Sequence, residues 1–313
     1  MRPIFIILIF FSILLLLFFI TSLICYLMPF YNKNKHSTNE DIILPNNELY
    51  RKHHDQIVSD IIDGRKLGFK EYRIKSFDNL KLYGRYYESI ENAPIEIMFH
   101  GYKGDGERDL STGIRRAKKC GRNVLIIDQR AHGKSEGHTI SFGIKERYDC
   151  MSWINFVIKE FGPDIQIILT GISMGAATVM MASNLDLPSN VVGILADCGY
   201  DSPRNIIKKY IYDMKLPGNI FIPFVKLGGL LFGHFNLDSV TPLNCVKESK
   251  VPIIFIHGDE DTFIPYQMSQ NLYEACTSKK QLVIIKHAEH GLSYLEDPIT
   301  YVDELNNFFK NKK

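Results

Sequence analysis

The chain has 313 residues, enough for one large domain or two small ones with a sizeable core, so a disulfide-stapled minimal fold is unnecessary. Its 37 Lys and Arg against 35 Asp and Glu leave a formal net charge of +2, and so even a balance provides no electrostatic grip on nucleic acid. With 45% hydrophobic and 23% charged residues, the chain is not intrinsically disordered.

Residues 3–30 (PIFIILIFFSILLLLFFITSLICYLMPF) carry no charge, and about 20 apolar helical residues suffice to cross a hydrocarbon core. The run is longer than the roughly 7–15 apolar residues of a cleaved leader, and no small-x-small site follows it. An uncleaved single-pass membrane anchor over residues 1–30 is therefore expected. Cys25 lacks the small preceding residue that lipid attachment needs and reads as an apolar thiol. Arg2 and the terminal amine flank one side, Lys33 and Lys35 the other, which favours a cytoplasmic C-terminal domain only slightly and leaves the face undetermined. Five further cysteines (Cys120, Cys150, Cys198, Cys245, Cys276) contain no CxxC pair, so neither a structural zinc site nor a full disulfide framework is expected. Residues 31–48 are polar and Asn-rich and read as a linker to a domain over residues 49–313.

Beyond the linker, residues 71–76 and 81–88 read as a hairpin around the turn residues 77–80. Nearly continuous apolar runs follow at 95–100, 123–128, 165–171, 191–197, 252–257 and 281–287. Such runs suit parallel strands covered on both faces, and helical spacing intervenes, as at Met151, Ile154, Ile158 and Phe161. Alternating strands and helices predict an α/β sandwich with functional groups at the carboxyl ends of the strands.

The strand at 165–171 runs into Gly171-Ile172-Ser173-Met174-Gly175 and then a helical run, the strand–turn–helix setting in which G-x-S-x-G presents a nucleophilic serine. The turn lifts the serine Oγ above the sheet and aims the helix N-terminus at a reacting carbonyl, and the glycines avoid collisions with neighbouring backbone. A serine at this position also serves simply as a helix cap. A hydroxyl nucleophile needs a base, and an imidazole base needs a carboxylate to fix its tautomer. The strand at 252–257 leads into Asp259, Glu260 and Asp261, and the strand at 281–287 leads into His287 and His290. The order serine, acid, histidine is the one this architecture uses. His287 and His290 follow a strand and lack H-E-x-x-H spacing, so no metal is expected. Neither G-x-G-x-x-G nor G-x-x-x-x-G-K-[ST] occurs, so no nucleotide cofactor is expected.

Together these residues resemble the α/β-hydrolase superfamily from about residue 70 to 309. The loop Asp128-Gln129-Arg130-Ala131-His132-Gly133-Lys134-Ser135-Glu136-Gly137 resembles the D-x-R-x-H-G-x-S-x-G loop of its Bem46-like and serine aminopeptidase-like members. The resemblance implies an α/β-hydrolase fold: a mostly parallel eight-stranded sheet with helices on both faces and a helical cap, here at about 199–250. It places the acid of H-G-x-x-D at Asp261 and the base at His290, with Asp197 as the competing acid. It assigns oxyanion donors to the backbone N–H groups of Tyr102, after His100-Gly101, and of Met174. The 128–137 loop is implied to be structural, with Arg130 and Asp128 holding neighbouring loops and neither His132 nor Ser135 catalytic. Phe221, Phe224, Leu227 and Leu231 of the cap are candidates to line an apolar site, contact the bilayer, or pack the cap onto the body. The implied activity is serine hydrolysis of an ester or thioester of an apolar, lipid-like acyl group at a membrane. A peptidase on small peptides and a non-catalytic binding protein on the same fold are the alternatives.

Overall fold

The structure, a computed structural model, describes residues 2–33, 42, 44 and 51–310. Most of the expected linker therefore lies outside the described residues. The chain opens with α1 (Arg2–Leu27), followed by α2 (His54–Lys66), which packs Ile57 and Ile61 one turn apart against the body. The hairpin β1 (Lys70–Lys75) and β2 (Lys81–Tyr87) leads into β3 (Ile95–Phe99), α3 (Gly106–Lys119), β4 (Asn123–Asp128), α4 (Glu146–Phe161) and β5 (Ile167–Ile172). Then come α5 (Met174–Ala182) and β6 (Val191–Asp197), and the helices α6 (Pro203–Asp213), α7 (Gly218–Leu231) and α8 (Pro242–Glu248). The chain finishes with β7 (Ile253–Gly258), α9 (Gln267–Ala275), β8 (Lys280–Ile285), α10 (Ser293–Glu296) and α11 (Pro298–Phe309).

The eight strands form one sheet in the order β1-β2-β4-β3-β5-β6-β7-β8, antiparallel at β1/β2 and β2/β4 and parallel elsewhere. Side chains of a strand alternate between faces, and here both faces are covered, which is why the runs are apolar without interruption. Ile97, Phe99, Leu125 and Ile127 point to the face packed by Trp153, Ile154 and Val157 of α4, whereas Met98, Val124 and Ile126 meet Leu110 and Ile114 of α3. One charge interrupts this pattern: Glu96 is fully buried in β3 and accepts from Arg116 and Arg122. Burial alone would raise its carboxyl, but the two guanidiniums outweigh that and hold it at about 2.

The chain leaves β3 for β4 on one side and returns to β5 on the other, so the connections diverge between β3 and β5. Ligands of open α/β sheets bind outside the carboxyl ends of the strands at such a reversal.

A second core lies above that crevice. It joins Met174, Ala177 and Met181 of α5, Ile206 and Ile207 of α6, and Ile222 and Val225 of α7 to the last turns of α1 and the residues just after it. Ile4 to Leu17 of α1 are exposed, but Ser22, Cys25, Tyr26 and Phe30 are buried. The Phe30 ring stands edge-on to Phe142 and Phe235, the Tyr26 hydroxyl shares a hydrogen bond with Thr139, and Ile140 N–H donates to the Phe30 carbonyl. α1 also crosses α7, at Gly228.

Candidate active site

Ser173 stands between β5 and α5 with φ 57° and ψ −115°, a left-handed conformation that disfavours any side chain and persists only when its surroundings impose it. They do: a Cβ on Gly171 would lie 2.2 Å from the Gly175 carbonyl, and one on Gly175 would lie 2.0 Å from the Phe99 carbonyl oxygen. The Ser173 N–H donates to the Asp197 carbonyl, and its side chain makes no capping hydrogen bond to α5. The hydroxyl is thus free of the cap role. Ser173 and His290 line one cavity of about 220 Å³, together with Gly101, Tyr102 and Phe263.

Of the three acids after β7, Asp261 is the one turned inward. Its Oδ2 accepts from His290 Nδ1 at 2.7 Å and His257 Nε2 at 3.0 Å, and its Oδ1 accepts from the Phe263 and Ile264 N–H groups. Burial alone would raise this carboxyl, but the two histidine hydrogen bonds outweigh it and hold Asp261 well below the usual carboxylate range. Because the carboxylate only accepts, His290 carries its proton on Nδ1 and leaves Nε2 with a lone pair. Asp259 instead accepts from the His287 N–H and Glu260 pairs with the His287 ring, all at the exposed turn.

His257 is more than a strand-end histidine satisfied by backbone. Its Nε2 faces the Ile264 carbonyl as well as Asp261, so it carries the proton there, and Nδ1 accepts from the Ser269 hydroxyl. His257 therefore fixes the carboxylate that holds His290. The H-G-x-x-D spelling contains this histidine four residues before the acid, a spacing that sequence reading used only to locate Asp261.

Asp197, the competing acid, is buried and accepts from the Tyr301 hydroxyl at 2.8 Å, with Oδ1 lacking a partner among the described residues. Burial pushes its carboxyl up, against the pull of the Tyr301 bond.

The turn after β3 is held from three sides. The Gly101 N–H donates to Asp109 Oδ2, and the Lys103 N–H donates to His132 Nε2 at 3.1 Å. From the third side, the Tyr102 hydroxyl donates to the Pro29 carbonyl at 2.8 Å and Lys103 Nζ to the Met28 carbonyl at 3.2 Å. The Tyr102 and Met174 N–H groups have no acceptor among the described residues. For Met174 this follows from its place at the first turn of α5. His132 donates from Nδ1 to the Arg130 carbonyl, which leaves Nε2 as the acceptor; burial, then the neighbouring His100, pushes its basicity well down. Arg130 forks between Asp149 and Asp78, Lys134 N–H donates to Asp128, and the Ser135 hydroxyl donates to the Asp128 carbonyl. The 128–137 loop is thus a frame whose His132 reaches the turn beside Ser173.

The four cap residues do not line this cavity. Phe221 and Phe224 pack at the edge of the second core, Phe224 against Phe18 of α1, Leu227 is half-buried and Leu231 is exposed. The cap instead backs the cavity wall through Tyr210 of α6, whose ring lies 4.9 Å from that of the lining residue Phe263, itself 4.9 Å from the His290 ring. Ile57, Leu292 and Leu295 supply further apolar lining, and Arg108, Asp109 and Thr112 a polar edge. The sequence reading missed Ile57, for which the i, i+4 spacing with Ile61 was an available signal, and nothing in the sequence singled out the polar edge.

Known proteins match both the chain and its shape. A family model described as Serine aminopeptidase, S33, matches residues 93–198, from before β3 through the end of β6. Protein YqkD of Bacillus subtilis is 29% identical over 61% of this chain and 63% of its own length. A lysophosphatidylserine lipase, ABHD12, of Danio rerio is 22% identical over 63% of this chain and 51% of its own. The chain thus spans less than two thirds of the length of these curated relatives. The solved esterase Pf2001 of Pyrococcus furiosus superposes with a TM-score of 0.63 at 24% identity, covering 88% of this chain and 98% of that one. With this sheet order, the strand–turn–helix around Ser173 and these matches, the chain has the α/β-hydrolase fold.

Proposed function

We propose that the chain is a membrane-anchored serine hydrolase that cleaves an ester or thioester of an apolar acyl group. The observation that carries this reading is the Asp261–His290 hydrogen bond, which orients an imidazole lining the same cavity as the strained, uncapped Ser173. Asp261 holds His290 with Nε2 as the base. As Ser173 Oγ attacks the acyl carbon, its proton passes to His290 Nε2, and the carbonyl oxygen becomes an oxyanion received by the Met174 and Tyr102 amides. Two such fixed donors are worth several kcal/mol, with about 2.7–4 lost on removing one. The imidazolium then protonates the leaving alkoxide or thiolate, and the C–O or C–S bond breaks. Water, deprotonated by His290, attacks the acyl-enzyme, releasing a carboxylic acid and regenerating Ser173.

The apolar lining from Ile57, Phe263, Leu292 and Leu295 supports an apolar acyl group. The lipase and esterase among the similar proteins support an oxygen ester. α1, 26 residues with a mean hydropathy of 3.2 over its most apolar window, is long and apolar enough to cross a membrane and supports anchorage. The domain proper then comprises residues 49–313 with its cap between β6 and β7. The match to the serine aminopeptidase model keeps a peptidase on small peptides as the second reading, since the same groups cleave amides.

A fluorophosphonate probe tests the reading. Labelling of the intact protein that vanishes in Ser173→Ala and falls strongly in His290→Ala is the expected result. Absence of labelling in the folded protein would leave a binding protein on a hydrolase fold. Turnover of p-nitrophenyl acyl esters beside aminoacyl amides separates esterase from peptidase.

A further inference from the structure

We infer that α7, the helix that crosses the anchor, lies in the membrane interface with its outer face among lipid acyl chains. The inference rests on the proposed role of α1 as a bilayer span and goes beyond it, because α7 is part of the cap.

α7 is apolar on two opposite faces, with Asn219 and Lys226 its only polar side chains. One face buries Ile222, Val225, Gly228 and Gly229 in the second core. The opposite face carries Ile220, Pro223, Phe224, Leu227, Leu230 and Leu231, spaced by threes and fours; Ile220 is 61% and Leu230 55% exposed. A globular surface helix normally turns charge outward, and a helix apolar on every side is a buried one. The one cation of α7, Lys226, is paired with Asp238, which also holds Arg204.

The depth of α7 follows from α1. The protein begins to bury α1 at Ser22, so residues 3–21 are the part left for lipid, about 28 Å at 1.5 Å per residue against a hydrocarbon core of about 30 Å. Thr21 then marks the near boundary, and the Thr21 and Ser22 hydroxyls satisfy themselves on the Leu17 and Phe18 carbonyls, as chain at this depth requires. Phe18 and Phe19 lie inside that boundary, and their rings lean further toward the helix N-terminus. The Phe224 ring is 5.0 Å from that of Phe18, and the Phe232 ring 5.2 Å from that of Phe19. An α1 that spans therefore draws α7 to the boundary of headgroups and acyl chains, where interfacial helices sit about 5–10 Å deep. The exposed face of α7 adjoins the lipid-facing side of α1, since Phe224 belongs to the one and touches the other. The bilayer is the occupant that this continuity selects.

Tryptophan quenching in proteoliposomes tests this. Trp153 is buried in the core and gives a constant background. Leu230→Trp and Ile220→Trp report α7, Leu14→Trp reports the middle of the anchor, and Lys118→Trp reports the opposite end of the sheet. The full-length protein is reconstituted in phosphatidylcholine brominated either near the headgroup or near the chain terminus. The expected result is about twofold loss of the added emission at positions 220 and 230, stronger with shallow bromine. Position 14 is quenched more by deep bromine, and position 118 is unaffected. Quenching at 14 with 220 and 230 behaving like 118 overturns the inference and leaves the anchor standing. No quenching at 14 overturns the anchor, and the inference falls with it.

Discussion

Gly228 meets Ser22 at a distance that only glycine permits: a Cβ on Gly228 would come within 2.4 Å of the Ser22 carbonyl oxygen and 3.0 Å of the Tyr26 Cβ. A small residue at a helix crossing lets the two backbones approach this closely. The contact joins α1 to the cap, so its loss is felt on both sides. Gly228→Leu is expected to cost about 1–3 kcal/mol, typical of overpacking at a rigid contact. Thermal unfolding in detergent should show a lowered midpoint, with Leu227→Ala, a half-buried neighbour, affected less.

Asp261 should show both its chemistry and its charge. Asp261→Asn leaves the shape but presents an amide N–H or a weaker acceptor to His290, and acyl transfer is expected to fall about 10⁴-fold with labelling of Ser173 slowed in parallel. The carboxyl is depressed in the folded protein, so its stabilisation is present above about pH 4 and is lost as pH falls through its folded value. The stability gap between wild type and Asp261→Asn should therefore be widest near neutrality and close on acidification. A gap that stays constant from pH 7 down to pH 3 would contradict the hydrogen-bonded carboxylate.

Asp197 has the opposite sign. Its carboxyl is raised by burial, so a penalty absent below about pH 4 sets in as pH rises through its folded value. Asp197→Asn keeps an acceptor for the Tyr301 hydroxyl and removes the titration. The variant is expected to match or exceed wild-type stability at pH 7, the difference vanishing on acidification, and to keep its labelling by fluorophosphonate. Loss of labelling in a folded Asp197→Asn protein would transfer the role of the acid from Asp261 to Asp197.

His132 accepts from the Lys103 N–H and does not line the cavity of Ser173, so it is expected to act by positioning. Removing one neutral hydrogen bond costs about 1 kcal/mol, so His132→Ala should lower kcat about fivefold through the neighbouring Tyr102 amide while leaving KM unchanged. His132→Gln, which returns an acceptor at similar reach, should restore most of the rate. A change in KM alone would place His132 in substrate binding.

The sheet was legible because strands covered on both faces are apolar without a break. β4 and β6 fall where the runs fall, and the other strands shift by one or two residues at their ends. Ser173 was legible for a related reason: only glycine tolerates the closeness at positions 171 and 175, and that requirement is written in the sequence. The choice of Asp261 over Asp259 and Glu260 came from family resemblance, since three adjacent carboxylates differ only in which way the turn points them. The cavity lining was less legible. An apolar residue in the cap looks the same whether it meets a substrate, a lipid or Phe18, and the expectation for Phe221 and Phe224 could not separate these. The same ambiguity hid the fate of the last turns of α1, because hydropathy does not distinguish the buried Cys25 and Tyr26 from the exposed leucines before them.

The hydroxyl of Tyr102 closes a short mechanical circuit. It grips the carbonyl of Pro29, two residues past the end of α1, and the same residue lines the cavity of Ser173. If α1 spans a bilayer as proposed, tension between it and the body would load that turn before it reached the sheet. The turn beside Ser173 is wired in series with α1.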